Sequence, residues 1–370
     1  MNKYDFVLVI SDLGSGGTQR VLTQMISLWL AQGKHLAIVT LAEEKNDFYT
    51  LPASVDRYSL SEMRYSTHPV IGLFANLKRI IKLRKIFKKL APKIVIGFIC
   101  TTNILTILAT RGLNMRVIIS ERNDPAKQAF GWIWDTLRNR IYRYADVITA
   151  NSQGALASLE RYVPKKKLRW VPNPLLVSSE NKFICFDRPS IVTVGRLHPQ
   201  KAYDVLLSAF SLFQRAHPHW QLVMVGEGPL RQQLMDQARM LGIAEHVTWY
   251  GTVNDPFPYY RAAQIFALPS RHEGIPNAML EAMSCQKPVI VSNASPGPLE
   301  YVIHNETGLV VPVEDVNALA DALSQLADDP GLRDRLAAQA FKKLQQNSSE
   351  NVMTIWNAIL SSPIDNSSKP

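Results

Sequence analysis

Ser190-Ile191-Val192-Thr193-Val194-Gly195-Arg196-Leu197-His198-Pro199-Gln200-Lys201 is the stretch that decides the fold. Five residues rich in Val and Ile read as a buried strand, Gly195 ends it, and an amphipathic helix follows. The same unit recurs on both sides of it. Upstream, candidate strands are Phe6–Ile10, Leu36–Leu41, Ile94–Phe98, Arg116–Ile119, Val147–Ala150 and Leu168–Val171. Downstream they are Gln221–Val225, Val247–Tyr250, Ile265–Leu268, Pro288–Val291 and Leu309–Val311. Continuous apolar strands belong to parallel sheets covered by helices on both faces. Their alternation with helical stretches predicts doubly wound α/β units.

The chain has 370 residues, which at roughly 100–200 residues per domain predicts two domains. The boundary is expected between Asn173 and Pro189, where Ser178, Ser179, Glu180 and Asn181 read as a polar linker. We therefore expect two Rossmann-like domains, residues 1–180 and 181–346, with ligands bound in a cleft between their strand carboxyl ends. Residues 347–370 are expected to form a helix over Val352–Leu360, packed back on the N-terminal domain, and a tail disordered from Ser361. The run Phe6–Ile10 is too short for a signal-peptide core. The longest uncharged stretch, Ile94–Thr110, carries Thr101, Thr102, Asn103, Thr106 and Thr110. It reads as strand, turn and helix, because a membrane span needs about 20 mostly apolar residues. Cys100, Cys185 and Cys285 are odd in number and far apart, which argues against a disulfide framework and a zinc site and favours a reducing compartment.

Two segments look built for anionic ligands. Gly14-Ser15-Gly16-Gly17-Thr18 lies between the first strand and a helix. Glycines there let backbone approach a phosphate, and the helix N-terminus favours negative charge. A plain tight turn is a second reading. A dinucleotide fingerprint is a third, although its last glycine would fall on Gln19; Glu43 and Glu44 after the second strand keep it open. In the second half, Arg196 and Lys201 place two cations in one strand–helix loop. Glu273 sits in the glycine-containing loop Ser270–Gly274, and Glu281 sits one turn into the next helix among Met279, Leu280, Ala282 and Met283. A carboxylate in such apolar company needs a partner, and a ribose diol is one candidate.

These elements resemble a known family. Gly195-Arg196 with Lys201, Val225-Gly226-Glu227-Gly228-Pro229, Glu273 with Glu281, and Asn305-Glu306-Thr307-Gly308-Leu309-Val310-Val311-Pro312 follow the order and spacing of family 4 glycosyltransferases, and Gly16-Gly17 matches that family's N-terminal glycine pair. The resemblance implies the GT-B fold, a nucleotide-sugar donor and a retaining mechanism. It assigns the donor diphosphate to Arg196 and Lys201, the donor hexose to Glu273, and the ribose hydroxyls to Glu281. The amides of Gly274 and Ile275 would lie near the phosphates, Gly16 and Gly17 would close over them, and Glu227 and Gly228 would line the base. The N-terminal domain would be the acceptor side and the C-terminal domain the nucleotide-sugar side.

The chemistry agrees with this assignment. Breaking a glycosyl–phosphate bond builds negative charge on the diphosphate. The chain has no acidic D-x-D metal site, so fixed cations and a helix N-terminus must hold that charge, and neither a cofactor nor a metal is expected. Many relatives carry a His where this chain reads Ser120-Glu121-Arg122-Asn123-Asp124-Pro125. That segment, with Ser295-Pro296-Gly297-Pro298-Leu299-Glu300, resembles a subset acting on hexose or N-acetylhexosamine donors in bacterial surface polysaccharides. Glu121, Arg122 and Asp124 either bind acceptor or donor sugar or form a structural loop in which the Arg and the acids pair with each other.

The net charge of +10 is uneven, +13 over residues 1–180 and −3 over the rest. Leu77 to Lys93 holds eight Lys/Arg and no acid. Lys78, Lys82, Lys85, Lys89 and Lys93 are spaced to share one helical face, with Leu77, Ile80, Ile81, Leu83, Phe87 and Leu90 on the other. A solvated surface helix accounts for part of this. With Lys165-Lys166-Lys167, the pattern also fits an anionic membrane surface, to which Trp132 and Trp134 would add interfacial aromatics or serve as core. The expected activity is transfer from a UDP-sugar to a lipid-linked or polysaccharide acceptor, including lipopolysaccharide, by a peripheral protein on the cytoplasmic face of the membrane. A sugar-nucleotide epimerase of the same fold, a phosphorylase, non-enzymatic sugar or anion binding, and a nucleic-acid-binding protein that uses the basic half are the alternatives. No nucleic-acid partner is expected, because basic/aromatic interleaving of any known module is missing.

Overall fold

A computed structural model describes residues 3–62, 69–126, 130–175 and 182–362. The chain divides into two compact units, Met1–Pro174 with Ser349–Pro370, and Leu175–Ser348. The polar linker at 178–181 and most of the tail after Ser361 lie outside the described residues.

The first unit is built on seven strands: β1 (Phe6–Ile10), β2 (Leu36–Thr40), β3 (Asp56–Ser59), β4 (Ile94–Phe98), β5 (Arg116–Glu121), β6 (Val147–Ala150) and β7 (Leu168–Trp170). All neighbours pair in parallel, in the order β3-β2-β1-β4-β5-β6-β7, with registers such as Phe6 opposite Leu36 and Ile94. The second unit has β8 (Ser190–Val194), β9 (Gln221–Val225), β10 (Val247–Gly251), β11 (Ile265–Leu268), β12 (Val289–Ser292) and β13 (Leu309–Val311). These are also parallel, in the order β10-β9-β8-β11-β12-β13. Both units are Rossmann-like. Each reverses its strand order beside its first strand, between β1 and β4 and between β8 and β11, and ligands of such sheets bind outside the strand carboxyl ends at that point.

The expected strands form, with ends shifted by a residue or two, because a fully buried strand must be apolar along its whole length. The exception is β3. Its sequence Asp56-Arg57-Tyr58-Ser59 is polar because it pairs on one side only, with β2, and stays partly exposed. The Ile94–Thr110 stretch is β4 followed by the helix Cys100–Thr110, with Ile99 at φ 73° as the corner. Among the described residues no helix is long and apolar enough to cross a membrane.

The helix Ser349–Ser361 belongs to the first unit. Val352, Met353, Trp356 and Ile359 are buried in that unit's core, and Trp356 meets Trp29 edge-on at 5.5 Å. Arg116 fastens the helix end by donating to the carbonyl of Ser362 at 2.8 Å. Trp132 is 79% exposed, whereas Trp134 packs against the core.

The basic helix differs from expectation. It runs Pro69–Leu90, so Lys93 lies beyond its end, next to β4, and does not share the lysine face. Leu77 and Ile81 do not pack inward but are 51% and 48% exposed, because their helical positions point away from the face that carries Leu83 and Phe87. Lys78 and Lys82 are not free. Both pair with Glu62, at 2.8 and 2.5 Å, and together they hold its carboxyl down to about 2.

Candidate functional site

The second unit brings its predicted residues to one edge. The loop after β8 carries Gly195, Arg196 and Lys201; the loop after β11 carries Ser270, Arg271 and Glu273. Because β8 and β11 are hydrogen-bonded neighbours at the strand-order reversal, the two loops emerge side by side. Backbone and side chains then zip them together. Arg271 donates its backbone N–H to the Gln200 carbonyl at 2.8 Å, and Gln200 Nε2 donates to the His272 carbonyl at 2.9 Å. The short turn Pro199–Lys201 ends on Ala202, which adopts the left-handed conformation with φ 52°.

Within this frame Lys201 Nζ lies 2.6 Å from Glu273 Oε1, with side chains 13% and 9% exposed. The Ser270 hydroxyl donates to the same oxygen at 2.8 Å, and the Ser295 hydroxyl accepts from the Glu273 backbone N–H at 3.1 Å. Glu273 Oε2 has no hydrogen-bond partner among the described residues. Gly195 is needed here, since a Cβ would meet the Tyr203 hydroxyl at 2.7 Å and Lys201 Cε at 3.1 Å. Arg196 is exposed and makes no ion pair among the described residues.

The loop holding Gly274 and Ile275 rests on the short helix Pro296–Leu299. A Cβ on Gly297 would sit 1.9 Å from the Gly274 carbonyl, so only glycine permits this contact. Ile275 turns its side chain into the core. Glu281 lies on the helix Asn277–Ser284 and is 3% exposed. The Tyr260 hydroxyl donates to its Oε2 at 2.8 Å. Glu227, by contrast, is half exposed and paired with Arg231 one turn on, while Gly228 packs on the Leu197 carbonyl.

The first unit keeps its candidates at its own strand ends. Gly16 caps the helix Gly17–Ala31 without a side-chain bond. Asp12 Oδ1 shapes that loop by accepting from Gly14 N–H and from Gln19 Nε2, both at 2.9 Å. Glu121 ends β5, Arg122 and Asp124 follow it, and all three are buried. Their side chains do not pair with each other among the described residues. Tyr142 donates to Glu121 at 2.7 Å, Arg122 donates to Asn173, and Asp124 accepts from the Ala126 backbone at 2.9 Å. Burial pushes the Glu121 carboxyl up and brings the Arg122 guanidinium down to about 10.

Sequence reasoning missed three supporting groups. Arg271 binds Asp204 through both terminal guanidinium nitrogens, at 2.7 and 3.1 Å, and Glu314 through its Nε, which fixes the Glu273 loop and raises the guanidinium pKa further. Tyr260 stands 21 residues from Glu281 in the chain, and Ser295 stands 22 residues from Glu273. Among the described residues no three His, Cys, Asp or Glu side chains come together to hold a metal ion.

Two family profiles match the chain. "Glycosyl transferase 4-like domain" matches residues 16–174, and "Glycosyl transferases group 1" matches residues 180–343. A relative in Campylobacter jejuni is 29% identical over 96% of this chain and 97% of its own. It is described as a GalNAc-α-(1→4)-GalNAc-α-(1→3)-diNAcBac-PP-undecaprenol α-1,4-N-acetyl-D-galactosaminyltransferase. Among solved structures, the lipopolysaccharide outer core galactosyltransferase WaaB aligns with TM-score 0.73 at 17% identity, over 95% of this chain and 98% of its own. The Anabaena protein HepE in complex with UDP aligns with TM-score 0.76 at 17% identity, over 96% and 98%. The paired Rossmann-like sheets and the two family matches lead to one conclusion: this chain is an enzyme of the GT-B fold and belongs to the glycosyltransferases, with a family-4-like first domain and a group 1 second domain.

Proposed function

We propose that the enzyme moves a hexose or N-acetylhexosamine from a UDP-sugar to a lipid-linked or polysaccharide acceptor, with retention of anomeric configuration and without a metal ion. One observation carries this reading. Glu273 has one oxygen fixed by Lys201 and Ser270 and a second with no partner among the described residues. The second oxygen is available to a sugar hydroxyl. The ammonium on the first stands where charge would grow on a departing diphosphate, and a cation placed in advance acts most strongly there.

In this scheme the bond between the anomeric carbon and the phosphate oxygen breaks, and its electron pair leaves with the diphosphate. The acceptor oxygen bonds the same face of that carbon and gives its proton to the departing phosphate oxygen. Arg196 and Lys201 hold the diphosphate, joined by the amides of Gly274 and Ile275 ahead of the helix Asn277–Ser284. Glu281 takes the ribose hydroxyls, with Glu227 and Gly228 beside the base. In the first unit, Gly16 and Gly17 approach phosphate, and Glu121, Arg122 and Asp124 serve the sugar or acceptor. The lipid-diphosphate acceptor in the Campylobacter relative's description and the UDP bound to HepE support the choice of acceptor and nucleotide.

The same reading makes the protein peripheral on the cytoplasmic membrane face, drawn there by Lys78, Lys82, Lys85 and Lys89. A thermal-shift panel of UDP-, GDP- and ADP-sugars in the presence of a chelator tests the donor assignment. UDP-sugars should stabilise the protein, since a ligand raises stability in proportion to the logarithm of concentration over affinity. Stabilisation by GDP- or ADP-sugars alone, or only with added metal, would overturn it.

A further inference from the structure

The helix Pro69–Leu90 carries two apolar faces, and one of them is turned outward. Inward, Leu83 and Phe87 are fully buried, and Ile80, Ile86 and Leu90 pack against the same core cluster. Outward, Ile71, Leu73, Phe74, Leu77 and Ile81 are exposed by 60%, 70%, 67%, 51% and 48%. At about 100° per residue, Phe74, Leu77 and Ile81 form one strip on the side opposite Leu83 and Phe87. The same spacing carries the strip on to Lys85 and Lys88.

Single exposed apolar side chains are ordinary. A run of them on successive turns of one face marks a contact surface. The charges beside it select the partner. The helix has no Asp or Glu along its length, and it carries seven Lys or Arg, all between Lys78 and Lys89. Apolar side chains bordered by cations, of which Lys78 and Lys82 are paired with Glu62, match an anionic lipid interface, where the apolar atoms enter the headgroup–acyl boundary and the ammonium groups stay at headgroup level.

We propose that the N-terminal half of this helix inserts Phe74, Leu77 and Ile81, with Ile71 and Leu73, into the surface of an anionic membrane, and that Lys85, Lys88 and Lys89 hold the adjoining headgroups. This rests on the peripheral-membrane reading above and changes its physical basis. Lysine attraction alone is screened by salt, and two of its four lysines are already paired with Glu62. Apolar insertion survives salt and gives the helix a fixed depth.

The test is co-sedimentation of the full chain with phosphatidylglycerol/phosphatidylcholine vesicles and with phosphatidylcholine alone, at low and high salt. Wild type should bind the anionic vesicles, bind neutral ones far less, and keep a measurable fraction bound at high salt. The Phe74→Ser, Leu77→Ser double variant should lose about tenfold or more in partition coefficient, since each side chain withdraws apolar area from the lipid. Its melting temperature should stay at the wild-type value, because both side chains are already solvent-exposed. The Lys85→Gln, Lys88→Gln variant should bind less than wild type at low salt and keep the fraction that survives high salt. Wild type that ignores anionic vesicles would overturn the membrane reading and the insertion together. Wild type that binds, with a double variant binding equally well, would overturn insertion alone and leave docking to the lysines.

Discussion

Replacing Lys201 with Ala separates what the Lys201–Glu273 pair does for the fold from what it does for the reaction. The two side chains are 2.6 Å apart and only 13% and 9% exposed, so solvent screens them little. Removing one partner of a buried pair strands the other charge, typically at a cost of about 3–5 kcal/mol. Glu273 keeps the Ser270 hydroxyl at 2.8 Å, which places the loss near the lower end, at about 3 kcal/mol. The catalytic loss is separate. A preset group facing charge that grows in the transition state contributes about 3–4 kcal/mol, so kcat should fall about 10²–10³-fold. Adding Glu273→Gln removes the stranded charge, so the double variant should regain most of the lost stability without regaining turnover. Urea unfolding reads the first effect through a shifted midpoint at constant slope. Initial rates with the UDP-sugar selected by the thermal-shift panel read the second. The reasoning fails if Lys201→Ala turns over like wild type, or if the double variant recovers stability and turnover together.

Gly297→Ala should lower both stability and kcat, by about 1–3 kcal/mol in stability, because its methyl group meets the Gly274 carbonyl and displaces the Glu273 loop; unfolding and rates on the same preparation check this. Glu62→Gln should release Lys78 and Lys82 and raise binding to anionic vesicles at low salt, read by the same co-sedimentation. A thiol reagent at mildly alkaline pH should modify Cys185, which is exposed, well before the others. Burial pushes the thiols of Cys100 and Cys285 up to about 12 and about 11, so they stay protonated and unreactive until the chain is unfolded.

Much of the fold was legible because a strand buried on both faces has to be apolar from end to end. The run Phe6–Ile10 shows this, with all five residues buried. β3 was not legible, since an edge strand half in solvent can be Asp-Arg-Tyr-Ser without penalty. The site was legible as residue types at loop positions. That Lys201 and Glu273 touch was not, because they stand 72 residues apart and meet only through the adjacency of β8 and β11. Strand order leaves little trace in a sequence whose strands are all Val- and Ile-rich. The basic helix misled for a related reason. Leu77 and Ile81 count as apolar whichever way they face, and only the packing of Leu83 and Phe87 fixes which side is inside.

Titration calorimetry of UDP against wild type, Glu273→Gln and Glu281→Gln, with a chelator present, tests the central claim most directly. Glu281 is assigned to the ribose and Glu273 to the hexose that UDP lacks. Wild type should therefore bind UDP without metal, Glu273→Gln should bind it about as tightly, and Glu281→Gln should bind it more weakly. Each lost charge-assisted hydrogen bond should cost about 1.5–3 kcal/mol. Wild type with no affinity for UDP would contradict the nucleotide-sugar site itself, and weakening by Glu273→Gln with Glu281→Gln unchanged would contradict the roles given to the two glutamates.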